Sequence, residues 1–248
     1  PPVIGDAWGG GYYAGTITDN GVDYYLIVAP RANSGAADAK ATYLAGSKSV
    51  MPASIISATD SDVCGKKQFD ALVIENTKKP GSYPAVDLIT TLWNNATVGG
   101  MTDWYIPPIA EMTMVYRAFK PTADKNALSV PPSGSAYPYR LGLNPNAKPA
   151  ITSVYTASNP SQTIAPSFQN AKTGSVNFFN VDYYHTTMTL HDLAGFIVTP
   201  TSAGAYRYFH FKDGSLLFSS SATNASAPFN SKSYSVRPVR RVPVNGIV

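Results

Sequence analysis

An α+β fold, antiparallel hairpins combined with two helices and long irregular loops, is predicted by three observations. Two stretches read as hairpins around Asn-Gly and Asp-Gly turns, two others carry apolar residues at helical spacing, and the segments between them are rich in Pro, Gly, Ser and Asn. Of 15 acidic residues only Glu75 and Glu111 are glutamates, so the surface is not that of a protein built from long Glu/Lys-laced helices.

Residues 12–29, YYAGTITDNGVDYYLIVA, form the first hairpin, because Asn20-Gly21 tolerates the positive φ angles of a tight turn. From 32 to 79 the pattern weakens into an irregular excursion with one strand expected at 71–75. Pro84 then opens a helix in which Val86, Ile89, Leu92 and Trp93 recur at three- and four-residue steps, and Gly99-Gly100 ends it. A second helix follows Pro107-Pro108, with Ile109, Met112, Tyr116 and Phe119 on one face and Pro121 closing it. The junction GGMTDWYIPPIAEM (99–112) reads as scaffold. Its glycines release the chain, Trp104 and Ile106 bury against the sheet, Asp103 bonds turn amides, and the prolines set where the next helix begins.

Residues 121–150 form a long surface loop carrying Tyr137, Tyr139 and Arg140, and SVYTASN (153–159) returns to strand. A second polar excursion, 160–193, is followed by a strand at 194–198. YRYFHFKDGSLLFSS is the second hairpin, turning at Asp213-Gly214, and YSVRPVRRV (234–242) is a last strand in which Pro238 forces an edge position or a bulge. No repeat at a fixed period is visible, and residues 1–248 read as a single domain.

Composition narrows the function. The chain has 248 residues, 44% hydrophobic and 14% charged, which supports a sizeable core beneath a weakly charged, loop-rich surface of extracellular or virion type. The net charge of +4 is thinly spread, with Arg237, Arg240 and Arg241 the nearest thing to a cluster, so nucleic acid is not an expected partner. Cys64 is alone, which removes a disulfide framework and CxxC chemistry. No apolar run reaches membrane-span length, and the opening Pro1-Pro2, without an initiator Met, is expected of a processed product or the end of a longer polypeptide.

Catalytic and metal chemistry find little purchase. Glu111 has no second carboxylate near it in sequence and is expected to complement the dipole of the second helix. His185, His191 and Asp192 cluster in sequence, but His-x5-His is no standard metal spacing. Trp93-Asn94-Asn95 resembles the Trp-Asn-Asp of calcium-binding lectins without the accompanying Glu-Pro-Asn or Gln-Pro-Asp. No catalytic residue, metal or cofactor is therefore assigned. Loop aromatics beside short polar groups are the better candidates for ligand contact: Tyr137, Tyr139, Arg140, Asn159, Asp182, Tyr183, Tyr184 and His185.

The order of the parts resembles one family, the Lcl C-terminal-type domains of the C-type-lectin-like fold, related to the formylglycine-generating enzyme. The resemblance spans Gly9 to Arg241: a Gly-rich lead into a hairpin ending LIVAP, a helix followed by Gly-x-x-Asp-Trp-x-x-Pro and a second helix, the YTASN strand, an aromatic strand turning at FKDGS, and the closing YSVRPVR. Pro108 and Tyr155 stand where family members usually have Thr and Trp. The resemblance implies a C-type-lectin-like fold whose first and last strands share a sheet. Such domains occur in bacterial secreted proteins and in phage tail fibres, and the lack of cysteine pairs, the Tyr/Ser/Asn-rich loops and the opening without an initiator Met favour a non-enzymatic adhesin of the phage tail-fibre kind, located on the virion tail outside the cell. Its partners would be a bacterial surface glycan, pilus or outer-membrane protein, and other tail subunits in an arrangement such as a homotrimer, with no membrane insertion. The alternative is a structural virion protein whose loops contact neighbouring subunits.

Overall fold

The structure, a computed structural model, describes residues 2–32, 38–43, 45, 63–95, 100–128, 142–170, 172, 175–187, 206–219 and 233–246. Asn20 (φ 49°) and Gly21 (φ 77°) make the two-residue turn that joins β2 (Gly11–Asp19) to β3 (Val22–Val28). β1 (Ala7–Trp8) and the short β5 (Ala147–Lys148) both pair with β2, while β10 (Val239–Pro243) lies antiparallel to β3 with Val239 opposite Val28. The expected sharing of a sheet between the first hairpin and the last strand is thus present. A second sheet runs in the order β4 (Lys40–Ala41), β9 (Tyr234–Ser235), β6 (Tyr183–His185), β7 (Tyr206–His210), β8 (Leu216–Ser219). Between β7 and β8 the chain turns at Asp213-Gly214, as expected, with Gly214 at φ 75°.

The last predicted strand is divided between the two sheets, β9 in one and β10 in the other, and Pro238 lies at the crossing. Proline has no N–H to offer a ladder, which stops the strand there. Its carbonyl still accepts from the Ala29 N–H at 3.0 Å, and Val236 N–H donates to Ala39 at 2.9 Å, so the crossing is hydrogen-bonded on both sides.

Three α-helices complete the α+β class among the described residues. Residues 71–75 are not a strand but the middle of α1 (Lys66–Lys78), whose Gln68, Phe69 and Leu72 are buried. The β-branched pair that suggested a strand is tolerated because Ile74 faces solvent. Asn76 fastens α1 to the next helix, donating to Asp87 Oδ1 at 2.5 Å and accepting from the Tyr83 N–H at 3.1 Å. α2 (Pro84–Ile89) starts at the expected proline and passes into a π-helical turn, Thr90–Asn94, so the helix stops before Gly99-Gly100. Trp93 is buried at its end, its indole N–H donating to the Pro30 carbonyl at 3.0 Å.

α3 (Ile109–Phe119) begins directly after Pro108, as expected. One buried face was predicted, yet only Arg117 and Ala118 escape burial, so α3 is a central helix enclosed by both sheets and the loops. Trp104 has no exposed surface, and its ring lies where Gly11 offers no side chain: a Cβ there would fall 3.0 Å from the ring and 2.2 Å from the Val28 carbonyl oxygen. The carboxamide of Asn94 holds Trp104 as a strand partner would, accepting from its N–H at 2.8 Å and donating to its carbonyl at 2.9 Å. Among the described residues Asp103 bonds no turn amide; its carboxylate pairs with Arg240 at 2.6 and 3.0 Å.

Segment 160–193 is less polar than its composition suggested. It inserts Phe168, Phe179 and Tyr184 into the core, where Phe168 stacks on Phe119 at 3.8 Å and Phe179 on Phe211 at 4.1 Å. Nor is 153–159 a strand: Thr156 and Asn159 close a tight turn, and Tyr155 buries edge-on against Tyr116 at 5.7 Å. The strand expected at 194–198 lies outside the described residues. Removing the buried indole, Trp104→Ala, is expected to lower stability by about 3–5 kcal/mol. Asn94→Ala, which strands a buried N–H and C=O, should lower it by about 2–3 kcal/mol. Urea unfolding of the two variants measures both.

Candidate functional site

β6 divides the expected contact residues. In a strand successive side chains point to opposite faces, and Tyr184 goes inward with no exposed surface. Its hydroxyl donates to Asp38 and accepts from the Asn180 N–H at 2.7 Å, and burial, followed by the Asp38 charge, raises its pKa well above that of free tyrosine. Asp38 in turn receives Arg237 Nε at 3.0 Å and Nη2 at 2.5 Å, with Arg31 at 3.4 Å. Tyr184 is therefore part of a buried ionic cluster and offers nothing to a ligand, contrary to expectation.

His185 is corrected in the same way. It is buried among Tyr43, Tyr208 and Tyr234, with ring centroids 5.2 to 5.8 Å away. Nε2 donates to the Ala41 carbonyl at 2.7 Å, which leaves Nδ1 as an acceptor without a hydrogen bond, and burial lowers the pKa to about 4. A neutral imidazole in a tyrosine box is a packing element.

Asp182 and Tyr183 stay at the surface and are brought together with two residues that sequence patterns did not single out, Lys40 and His210. The Tyr183 ring stacks on His210 at 4.3 Å with an interplanar angle of 18°, and meets the edge of Tyr234 at 5.8 Å. Lys40 pairs with the Asp182 carboxylate, which also accepts from Ser235 Oγ at 3.3 Å. Behind this shelf His210 Nδ1 lies 3.0 Å from Asp213. Burial opposes ionisation of Asp213, yet hydrogen bonds from His210 and Ser215 hold it down at about 2. The result is a half-buried aromatic stack flanked by one cation and one anion, carried on β4, β7, β6 and the residue before β6. Strand pairing created it: Tyr183 lies opposite His210 across β6 and β7, and nothing in the linear pattern fixes that register.

Asn159 is exposed elsewhere, in a groove of about 520 Å³ with Arg117, Ser161 and Gln162 among its polar lining and Val3, Ile4 and Ile164 among its apolar lining. Tyr137, Tyr139 and Arg140, like His191 and Asp192, lie outside the described residues. Among the described residues no group of three or more His, Cys, Asp or Glu could hold a metal. Glu111 is fully buried; Arg241 Nε donates to it at 2.5 Å and the Tyr105 hydroxyl at 2.8 Å. Burial raises its pKa against the pull of Arg241, and it stands in the first turn of α3, where the sequence placed it. No family model, no curated protein and no solved structure matches the chain.

The titration of His185 is testable. Its folded pKa lies below the unfolded value of about 6.5, so the stability contributed by the neutral ring is complete above about 6.5 and is lost as pH falls towards about 4. The loss expected over that window is on the order of 3 kcal/mol. Urea midpoints at pH 7 and 4.5 should converge for His185→Gln while the parent protein shows the full drop; an equal drop in both would place the titration elsewhere.

Proposed function

We propose that this chain is a non-enzymatic receptor-binding module of a phage tail fibre, on a C-type-lectin-like frame, which contacts a bacterial surface glycan, pilus or outer-membrane protein. The observation that carries the proposal is the Tyr183–His210 stack beside the Lys40–Asp182 pair. Aromatic faces bind sugar rings and protein epitopes at small entropic loss because they have few rotatable bonds, and the flanking charges orient polar groups. The C-type-lectin-like frame is supported by the pairing of β3 with β10 and by the order hairpin, helices, aromatic hairpin, last strand. Placement on a virion tail, with tail subunits as further partners, rests on the family resemblance taken together with the lack of cysteine pairs and the Tyr/Ser/Asn-rich loops.

The alternative, a structural virion protein whose loops contact neighbouring subunits, draws on a different feature. Ile164, Val3 and Ile4 are 90%, 70% and 49% exposed around the groove, more apolar surface in one place than a solvated loop needs.

Tyr183→Ser should leave the melting temperature near that of the parent and weaken adsorption of the purified protein to susceptible cells more than tenfold. That corresponds to about 2 kcal/mol for an aromatic hot spot. Tyr184→Phe, which keeps the ring but strips the Asp38 bond, should instead lower stability and spare adsorption of the folded protein. Unchanged adsorption by Tyr183→Ser would remove the shelf from the site and favour the subunit-contact alternative.

A further inference from the structure

We infer that the groove around Arg117 binds the C-terminal carboxylate of a polypeptide whose last side chain is aliphatic. The inference is independent of the phage proposal and of the Tyr183 shelf. Arg117 stands in the last turn of α3. A role confined to the fold accounts for part of its guanidinium: Nε donates to the Gly142 carbonyl at 3.0 Å, Nη2 to the Ser153 carbonyl at 2.7 Å, and the plane lies 4.9 Å from the Tyr155 ring centre. Those contacts fix the fork in place but leave Nη1 without a hydrogen-bond partner among the described residues.

Among the described residues no carboxylate pairs with this charge. Burial is the first cause lowering the Arg117 pKa, and the groups that oppose it are Tyr155 and Tyr116, not an acid. Arg31, Arg237, Arg240 and Arg241, by contrast, each pair with an aspartate or glutamate. The segment 129–141, which leads into Gly142, contains no acidic residue either. A half-buried guanidinium held by two carbonyls and lacking an anion is an anion site by charge complementarity, and its planar fork matches a carboxylate.

The rest of the groove selects what carries that carboxylate. Its volume of about 520 Å³ suits a few residues of extended chain. Val3, Ile4, Ile164, Pro160 and Pro166 give it aliphatic walls, and Tyr155 beneath Arg117 is only 5% exposed, so there is no open aromatic face for a sugar ring. The Asn159 carboxamide makes no hydrogen bond to the described residues, although its backbone is fixed by the Thr156 turn. It is free to donate to and accept from a peptide group. Arginine for the terminal carboxylate, aliphatic wall for the last side chain and carboxamide for the preceding amide form a complete set for a chain end.

Two pools of random hexapeptides ending in Val, Leu or Ile, one as free acids and one as C-terminal amides, test the inference on the intact chain. Retained free-acid peptides, resynthesised, should bind at least tenfold more tightly than their amides. Ile164→Ser and Asn159→Ala, both surface changes that leave the thermal melt in place, should each weaken them severalfold. Arg117→Gln should erase the acid-over-amide preference in whatever fraction remains folded. Equal binding of acid and amide would overturn the carboxylate, absence of retention from both pools would overturn the site, and saturation by glucuronic acid without peptide binding would replace the chain end by an acidic sugar.

Discussion

The fold depends on one carboxylate, that of Asp38, placed between the guanidiniums of Arg237 and Arg31 in the interior of the protein. Two cations and one anion cannot neutralise each other, so the surplus is spread over other acceptors. Arg237 donates to the carbonyls of Asn177 and Phe178 at 3.1 and 3.2 Å, and Arg31 to that of Phe178 at 2.5 Å and to Asn180 Oδ1 at 2.9 Å. The faces of Phe178 and Phe179 lie 4.2 and 4.5 Å from the two charged centres. Buried charge of this kind is weak as a source of net stability but demanding about arrangement, because any other packing strands an ion in a low-dielectric interior. The cluster ties the end of the first hairpin, the start of the second sheet and segment 177–184 to the point where the last strand crosses between sheets.

That crossing gives the closing sequence its meaning. Arg237, Arg240 and Arg241 look like a small basic cluster when read along the chain, yet each is directed to a different carboxylate. Arg237 takes Asp38, Arg240 takes Asp103 and the Gly9 carbonyl, and Arg241 takes Glu111, Asp19 and the Val63 carbonyl. Adjacent residues on a strand face opposite ways, so Arg240 braces the Trp104 junction while Arg241 braces the start of α3. Asp103 and Glu111 were read in sequence through their local surroundings, turn amides and helix dipole. Both also have partners more than a hundred residues away, Arg240 and Arg241, which no local reading supplies.

What was legible in the sequence was local. The turns at Asn20-Gly21 and Asp213-Gly214, the start of α3 after Pro108 and the burial of Trp104 follow from φ preferences, a missing N–H and ring size, none of which needs a distant partner. What was not legible required tertiary context. Residues 71–75 have strand-like side chains, but Leu72 among them and Phe69 before them could only be weighed as a helix face once something lay against them. Segment 160–193 looked polar because three buried rings are few among many Ser, Asn and Thr, although those three rings complete the aromatic core. Tyr183-Tyr184 was read as part of a polar loop, so the strand that sends the two side chains to opposite faces was not foreseen, and His185, in phase with Tyr183, is buried because β6 passes beneath the tyrosine box at that end.

On the proposed function, the burial of Tyr184 and His185 bears directly on how the shelf would bind. A contact residue on a free loop must be ordered when its ligand arrives, and each rotamer-rich side chain so ordered weakens binding by about 0.5–1.5 kcal/mol. Tyr183 is spared this. Its next neighbour is anchored to the Asp38 cluster, the residue after that is bonded to the Ala41 carbonyl, its own N–H donates to Asp182, and its ring is already stacked on His210. The expectation that four consecutive residues would touch a ligand treated them as equivalent. In the folded chain two of them hold the other two in position, and a charge cluster inside the protein determines the geometry of a surface outside it.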